Sequence, residues 1–229
     1  MEAFDFYFKY AITVDNVIFG FDEGELKVLL IKRGEEPYDG MWALPGYFVK
    51  PAENLDDAAM RILTELTGVS NVYLEQVASY GAVDRHPFGR VITVAYYSLV
   101  KIEDYHLKAD SIATLTTWKE ISQIGSLAFD HNEIFRDCLE RLRQHLRARP
   151  IGFELLPMKF TLTELQHLYE AILELSLDKR NFRKKILSTD MLIDLKEVQE
   201  GVAHRPAKLY KFDKEKYANF AAKGFSFEV

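Results

Sequence analysis

Three charged residues, at positions 53, 61 and 65, have the types and spacing that come closest to phosphate chemistry. Glu53 precedes Arg61 by eight residues, and Glu65 follows Arg61 by one turn of a predicted helix. Diphosphate hydrolysis requires a divalent cation held by several carboxylate oxygens, which polarises the phosphoryl group and the attacking water. The same helix, however, carries the hydrocarbons Ile62 and Leu66. Because a single helix carboxylate binds Mg²⁺ poorly, we expect no catalytic residue, no metal and no cofactor.

Basic residues are concentrated on a second predicted helix, Asp178–Leu187. Asp178 is its expected N-cap, and Phe182, Ile186 and Leu187 fall on one side, where they would seat the helix on its domain. Arginine and asparagine near a helix N-terminus read base edges in the major groove, whereas lysines further along contact phosphates. The candidate DNA-binding residues are Lys179, Arg180, Asn181, Arg183, Lys184 and Lys185 on the helix, and Arg205, Lys208 and Lys211 on a following wing. The alternative is a solvated cationic face.

Two series of predicted elements must position these residues. The first alternates strands at Ala11–Phe21, Leu26–Arg33, Val72–Ala82 and Val91–Val100 with helices at Leu55–Thr67 and Asn132–Arg147. The second places a helix capped by Thr161 and Glu164 and running through Leu175 before Asp178–Leu187, Met191–Val198 and Ala207–Phe212. Helix, helix and hairpin is the order of a winged helix-turn-helix. We therefore expect an α+β chain with domains at 1–149 and 150–229.

Composition limits the classes of protein. The whole chain has a net charge of −6, whereas residues 176–216 hold 11 basic and 7 acidic side chains. This distribution indicates one domain that contacts phosphate on an otherwise acidic protein. The single cysteine, Cys138, excludes an internal disulfide framework and is expected to be a buried, inert thiol. No apolar stretch approaches the length of a membrane helix, so we expect a cytoplasmic protein without a membrane partner.

The segment around the charged set resembles the Nudix hydrolase family. The residues that carry the resemblance are Trp42-Ala-Leu-Pro-Gly46, Glu53, Arg61, Glu65 and Gly68-Val69. The resemblance covers about residues 10–145 and implies an N-terminal Nudix-type α/β/α sandwich with a mixed sheet, followed here by the winged helix-turn-helix domain. Ile62 and Leu66 stand where the family has glutamates, Tyr47 replaces a glycine, and one extra residue precedes Glu53. We therefore expect the fold without the hydrolase activity, and a Glu53–Arg61 salt bridge that pins the loop to the helix.

A Nudix fold without its metal-binding carboxylates keeps a concave site between its sheet and the helix predicted at Leu55–Thr67. Arginine and aspartate suit a phosphorylated or polyhydroxylated ligand, and a tryptophan can stack on a sugar face. The candidate effector-binding residues are Arg33, Trp42, Glu65, Asp84, Arg85 and Arg90. Two alternatives remain open: Asp84, Arg85 and Arg90 form a salt-bridged loop or a dimer contact, and Glu65 is an exposed helix residue.

Further segments are similar to the Nudix-related transcription regulators. They are Pro150–Ala171, Asp178–Lys185, Phe129-Asp-His131, and Asp84-Arg85 ahead of Arg90. The resemblance, strongest to the arabinose-responsive branch, implies a homodimeric repressor of sugar catabolism. An effector such as L-arabinose would release it from double-stranded operator DNA. The alternatives are a regulator of NAD metabolism that senses ADP-ribose, a residual Nudix hydrolase, and a winged helix that binds a partner protein.

Overall fold

The chain divides into two compact units in the computed structural model, which describes residues 10–68, 72–104, 113–149, 151–203 and 205–216. The first unit comprises Met1–Gly20 and Lys27–Arg141, and the second comprises Phe21–Leu26 and Leu142–Val229. The domain limits at 149 and 150 stay a prediction. Val69 of the segment that resembles the Nudix family and Pro150 of the predicted domain boundary lie outside the described residues.

A single sheet forms the centre of the first unit. Its strands are β1 (Ala11–Asp22), β2 (Glu25–Arg33), β3 (Trp42–Ala43), β4 (Gly46–Phe48), β5 (Tyr73–Tyr80), β6 (Val91–Lys101) and β7 (Ala113–Glu120). The main path runs β3-β2-β1-β6-β5, while β4 pairs with β1 and β7 pairs with β2, both antiparallel. The sequence prediction missed β3, β4 and β7, because strands of two or three residues have no measurable period and β7 mixes threonines with apolar residues.

Helix α1 (Leu55–Thr67) and helix α2 (His131–Ala148) cover opposite faces of this sheet. The apolar face of α1 packs against Ile18 of β1, whereas the neighbouring Phe19 contacts Phe135 of α2 with ring centroids 6.3 Å apart. This alternation is the two-residue period of a strand buried on both faces. The predicted span of α1 is confirmed, and Gly68, with φ of 76°, ends it by donating its N–H to Thr64.

The second unit contains α3 (Leu162–Leu173), α4 (Lys179–Ser188), β8 (Leu192–Val198) and β9 (Lys208–Phe212), after a 3₁₀ turn at Ile151–Leu155. The predicted capping box is present, because the Thr161 hydroxyl accepts from the Glu164 N–H and the Glu164 carboxylate accepts from the Thr161 N–H. Helix α3 ends at Leu173 and not at Leu175, since Glu174 takes a left-handed backbone with φ of 52°.

The core of this unit confirms two of the three apolar residues predicted to seat α4. Phe182 and Ile186 are buried, and the Phe182 ring lies 5.5 Å from that of Tyr169 on α3. The prediction for Leu187 was wrong, because its side chain is 46% exposed. Asp178 caps α4 as predicted, accepting from the Asn181 N–H at 2.8 Å. The helix–helix–hairpin order and the α+β organisation are therefore confirmed.

Two further sequence expectations concern the single cysteine and membrane-spanning helices. Cys138 is a fully buried free thiol, and burial raises its pKa. None of the helices in the described ranges is long and apolar enough to cross a membrane.

Candidate functional site

The first unit contains a cavity of about 220 Å³ beside β1, β2 and β4. Two arginines and several aromatic rings are the chemically distinctive part of its wall. They are Arg33, Tyr47, Phe48, Arg85, His86 and Phe129. A cavity with a cationic side and a flat apolar side suits a ligand that carries both a ring system and an anionic group.

A buried ionic network forms the floor of this cavity. Arg85, whose side chain is 4% exposed, donates from Nε and Nη2 to the two carboxylate oxygens of Asp130, each at 2.8 Å. The same guanidinium lies 3.5 Å from a carboxylate oxygen of Asp15. Because its fork is already paired with two carboxylates, Arg85 has little donor capacity left for a ligand and mainly fixes the shape of the floor.

His131 completes the floor as a neutral ring. Its Nδ1 accepts from the Leu44 N–H at 2.9 Å, and its Nε2 lies 3.6 Å from Asp15 Oδ1. Complete burial lowers the pKa of His131, against the opposing effect of the Asp15 charge. Because Nδ1 is an acceptor in the Leu44 bond, the neutral ring carries its proton on Nε2, which faces Asp15.

Phe129 forms the aromatic side. It has a left-handed backbone with φ of 54°, which is strained for a large side chain. The Arg33 guanidinium lies 5.0 Å from its ring centroid, and Arg33 is held in place by a 2.7 Å bond from Nε to the Pro37 carbonyl. His86 lies 5.3 Å from Phe129 with nearly parallel rings, and partial burial together with the charges of Arg85 and Arg33 lowers the pKa of His86. This side of the cavity thus combines a neutral imidazole, a guanidinium and an aromatic ring, while Glu35 and Glu36 also line the wall.

A second, more open cavity of about 470 Å³ shares Arg85 and Phe129 with the first. Polar groups dominate the rest of its wall: Ser79, Tyr80, Asp84, Asp130 and Glu133. Asp84, predicted as an effector contact, is exposed and lines this second cavity.

The structure brings only some of the predicted effector residues together. Arg33 and Arg85 line the first cavity, whereas Trp42, Glu65 and Arg90 line neither of the two. The Trp42 ring lies 4.5 Å from the Lys119 ammonium, Glu65 is exposed on α1, and Arg90 donates to the Gly81 and Ala82 carbonyls. Sequence reasoning missed the contributions of Asp15, His86, Phe129 and His131; the Phe129-Asp-His131 triplet was the one available signal.

The three charged residues Glu53, Arg61 and Glu65 form ion pairs with one another, and the predicted Glu53–Arg61 bridge is present. Arg61 donates from Nε and Nη2 to both oxygens of Glu53, at 2.7 and 2.9 Å, and from Nη2 to the Phe48 carbonyl at 3.2 Å. The hydrogen bond from Arg61 lowers the pKa of Glu53 to about 2. The second carboxylate, Glu65, also faces Arg61, at 3.4 Å.

This donor set does not fit the Mg²⁺ or Mn²⁺ that the Nudix resemblance implies. Ile62 and Leu66 are 3% and 7% exposed and pack in the apolar core with Val14 and Tyr96. In the described part of the chain no three histidine, cysteine or acidic side chains are grouped so that they could hold a metal ion. A hard dication needs several free oxygen ligands, so no step of a reaction is assigned to a metal here.

The second unit presents the predicted cationic surface on α4 and on the hairpin. Lys179, Arg180, Asn181, Lys184 and Lys185 are exposed on α4, as are Arg205, Lys208 and Lys211 on or near the hairpin. Lys208 lies 3.3 Å from Asp194, whose pKa is lowered to about 2 by hydrogen bonds from Lys196 and Lys208. Arg183 differs from the others, because it is partly buried and donates to Thr163. His204, beside Arg205, lies outside the described residues.

Comparison with known proteins matches both units. The model of the NUDIX domain family matches residues 9–142, and that of the NrtR DNA-binding winged helix domain matches residues 152–212. The chain is 37% identical over 210 residues to the ADPR responsive transcriptional repressor NtrR of Acinetobacter baylyi. The aligned region covers 90% of this chain and 83% of the relative. These matches confirm the predicted fold class.

Two solved structures are also similar. Shewanella oneidensis NrtR complexed with a 27mer DNA has 31% identity and a TM-score of 0.81, over 94% of this chain and 97% of that one. The NUDIX domain of the same NrtR complexed with ADP ribose has 33% identity and a TM-score of 0.53, over 57% of this chain and 87% of that one. The expected likeness to the arabinose-responsive branch was therefore wrong, because the relative that spans most of the chain is named as ADP-ribose responsive.

Proposed function

The chain belongs to the family of Nudix-domain transcription regulators that carry an NrtR winged helix, and we propose that it is a repressor whose Nudix domain binds ADP-ribose. In this proposal α4 and the β8–β9 hairpin bind operator DNA, and ADP-ribose releases the protein from it. The named relatives, a repressor that responds to ADP-ribose and a Nudix domain complexed with it, support this effector.

The observation that carries the proposal is the placement of Arg33 over Phe129 in the 220 Å³ cavity. An adenine base needs a flat aromatic surface, and a diphosphate needs a cation with directional donors. Phe129 and His86 supply nearly parallel rings, while Arg33 supplies the cation over the Phe129 ring. A free pentose carries no anionic group for Arg33 and no planar base for the rings, which is a physical reason to favour a nucleotide over a pentose.

We further propose that the Nudix domain binds ADP-ribose without hydrolysing it. The helix positions next to Arg61 and Glu65 carry Ile62 and Leu66, and both remaining carboxylates of the set are paired with Arg61. Hydrolysis of the diphosphate would require cations that this donor set does not hold.

A homodimer is the assembly that suits operator binding. Helix α4 has only ten residues, so one winged helix contacts a short stretch of the major groove and gives limited affinity. Two copies that bind paired half-sites combine their contacts on one duplex.

The test begins with DNA selected by the wild-type protein from a random-sequence duplex pool, and continues with fluorescence anisotropy of the selected duplex. ADP-ribose is expected to release the DNA, and Arg33→Met is expected to bind the duplex normally but to need at least tenfold more ADP-ribose. AMP and ribose 5-phosphate serve as control ligands. Selection of a duplex that ADP-ribose does not release would reject the effector alone, whereas failure to select any sequence would reject the DNA-binding function.

A hydrolysis assay addresses the enzymatic alternative. ADP-ribose is incubated with the protein and either Mg²⁺ or Mn²⁺, and AMP is measured by chromatography. The expected result is AMP formation no faster than in buffer. Turnover that Glu53→Gln abolishes would contradict the proposed inactivity.

A further inference from the structure

Arg183 faces the protein, unlike the other basic residues of α4. Its Nη2 donates to the Thr163 hydroxyl of α3 at 3.0 Å, and its Nε is buried without a hydrogen-bond partner among the described residues. The edge of the guanidinium formed by Nε and Nη2 is therefore turned towards α3. The neighbours Arg180 and Lys184 are exposed.

The start of α4 is already fixed to α3 through the turn that joins them. Gln166, which is 8% exposed, donates to the Glu170 carboxylate and to the Leu177 carbonyl, each at 3.0 Å. The same Glu170 oxygen accepts from the Leu177 N–H at 2.8 Å. These bonds hold the residue that precedes the N-cap Asp178, so they locate the first turn of α4 relative to α3.

The Arg183–Thr163 bond supplies a second polar attachment about one turn further along α4. Thr163 lies in the first turn of α3, between the capping-box residues Thr161 and Glu164. A helix attached at one end retains freedom to swing and to rotate about its axis, and a second directional bond reduces that freedom. The buried side chains of Phe182 and Ile186 seat one face of the helix, and the directional hydrogen bond restricts its rotation further.

We propose that Arg183 is a positioning residue that sets the rotation of α4 through Thr163, and that it does not read a base or bind a phosphate. The proposal rests on the DNA-binding function proposed above, and it revises the role predicted for Arg183 from the sequence. Base reading then belongs to the exposed residues of the first turn, Lys179, Arg180 and Asn181. Their side chains meet the correct base edges only if the rotation of α4 is held.

The proposal predicts that removing the Arg183–Thr163 bond by a change at Thr163 weakens DNA binding without changing the charge of the protein. Thr163→Val removes the acceptor and keeps the shape of the side chain, so the number of cations on α4 is unchanged. We expect about fivefold weaker binding to the selected duplex, the usual contribution of one hydrogen bond, because α4 must then be ordered on binding. The dependence of binding on salt should be unchanged, since the number of phosphates contacted is the same.

A double-mutant cycle tests the proposal on the full chain. Thr163→Val, Arg183→Met and the double variant are compared by anisotropy on the selected duplex over a range of salt concentrations, with Lys184→Met as the control for loss of an exposed charge. The double variant is expected to bind no more weakly than Arg183→Met alone, because both changes remove the same bond. In the Lys184→Met control, the slope of log affinity against log salt should decrease by the amount expected for about one lost phosphate contact.

Two outcomes would overturn the positioning role. One is a Thr163→Val variant with wild-type affinity beside an Arg183→Met variant that flattens the salt dependence as Lys184→Met does. The other is an Arg183→Met variant that loses preference at a single base pair of the selected duplex. The midpoint of thermal unfolding is measured for each variant, so that affinities are compared only between proteins that are folded at the temperature of the binding assay. If the wild type selects no DNA, the DNA-binding function proposed above is rejected, and the positioning role of Arg183 is rejected with it.

Discussion

A charged side chain in this protein acts according to what already pairs with it. Arg33 and Arg85 line the same cavity, yet Arg33 is attached to backbone carbonyls and lies over a ring, whereas Arg85 is paired with two carboxylates. Backbone carbonyls accept from Arg33 without adding a negative charge, while Asp15 and Asp130 more than neutralise the charge of Arg85. The first arginine is thus available to an anionic ligand, and the second supports the site.

The support role of Arg85 predicts a large loss of stability when it is replaced. Arg85→Met leaves the buried Asp15 and the partly buried Asp130 without their counterion and should lower the free energy of unfolding by about 3 kcal/mol. Arg90→Met, the matched control, loses two bonds to backbone carbonyls of a surface loop and should cost about 1 kcal/mol. Urea unfolding measures both, and equal losses would contradict the distinction.

The Glu53–Arg61 pair predicts a dependence of stability on pH. The pKa of Glu53 is lowered from its ordinary value of 4.5 to about 2. A carboxyl with a lowered pKa stabilises the folded state above the unfolded pKa, and this contribution is lost as the pH falls through the folded pKa. Wild type should therefore exceed Glu53→Gln in stability at neutral pH, and the difference should shrink between pH 4.5 and pH 2. Denaturant midpoints across this range measure it; a difference independent of pH would contradict the pairing.

Residue types predicted part of the site, and long-range contacts decided the rest. Arg33 and Arg85 were identifiable because arginine in a loop or at a strand end is a usual ligand group. The floor and ring, by contrast, join Asp15, His86, Phe129 and His131 from three distant segments. Trp42 lines neither cavity: β3, which the sequence prediction missed, pairs Trp42 with Lys32, and the Trp42 ring lies 4.5 Å from the Lys119 ammonium.

At the scale of elements, the pairing of β4 with β1 brings the backbone of Gly46 against Asp15. The register places Asp15 opposite Gly46, and a Cβ on Gly46 would lie 1.9 Å from Asp15 Oδ1. A glycine is needed here for close approach, since its φ is not in the left-handed region. The periodicity of hydrophobic residues predicted the long helices, but it could not predict this short strand. The position of the strand depends on the absence of a side chain at Gly46.

Gly46→Ala should therefore displace Asp15 and damage the floor of the cavity. We expect a loss of about 2 kcal/mol in the free energy of unfolding from overpacking, together with weaker ADP-ribose binding. Gly125→Ala is the matched control, because a Cβ there meets no atom within 4 Å and the backbone is not left-handed. Calorimetric titration and urea unfolding would show the difference; a Gly46→Ala variant as stable as the Gly125→Ala control would refute it.

At the scale of the whole molecule, charge is separated along the chain. A net charge of −6 coexists with 11 basic and 7 acidic residues in 176–216. The acidic remainder repels DNA, so non-specific binding by other surfaces is disfavoured and the basic segment determines where DNA contacts the protein. Composition alone predicted this polarity, although it could not distinguish Arg183 from its exposed neighbours.

The separation predicts which lysines control the salt dependence of DNA binding. Lys185→Gln removes an exposed cation from α4 and should reduce the slope of log affinity against log salt by about 0.9. Lys50→Gln removes the same charge from an exposed position in the first unit and should leave the slope unchanged. Anisotropy at several salt concentrations gives both slopes, and equal changes would show that DNA binding is governed by net charge.

The burial of Ile62 and Leu66 makes the loss of the metal ligands hard to reverse. Their side chains fill the space beneath α1 together with Val14 and Tyr96. Two glutamates at these positions would enter a packed apolar interior as unpaired anions, each at a cost of about 3 kcal/mol or more. Glutamates could therefore be introduced at positions 62 and 66 only together with other changes that make room for charged side chains beneath α1.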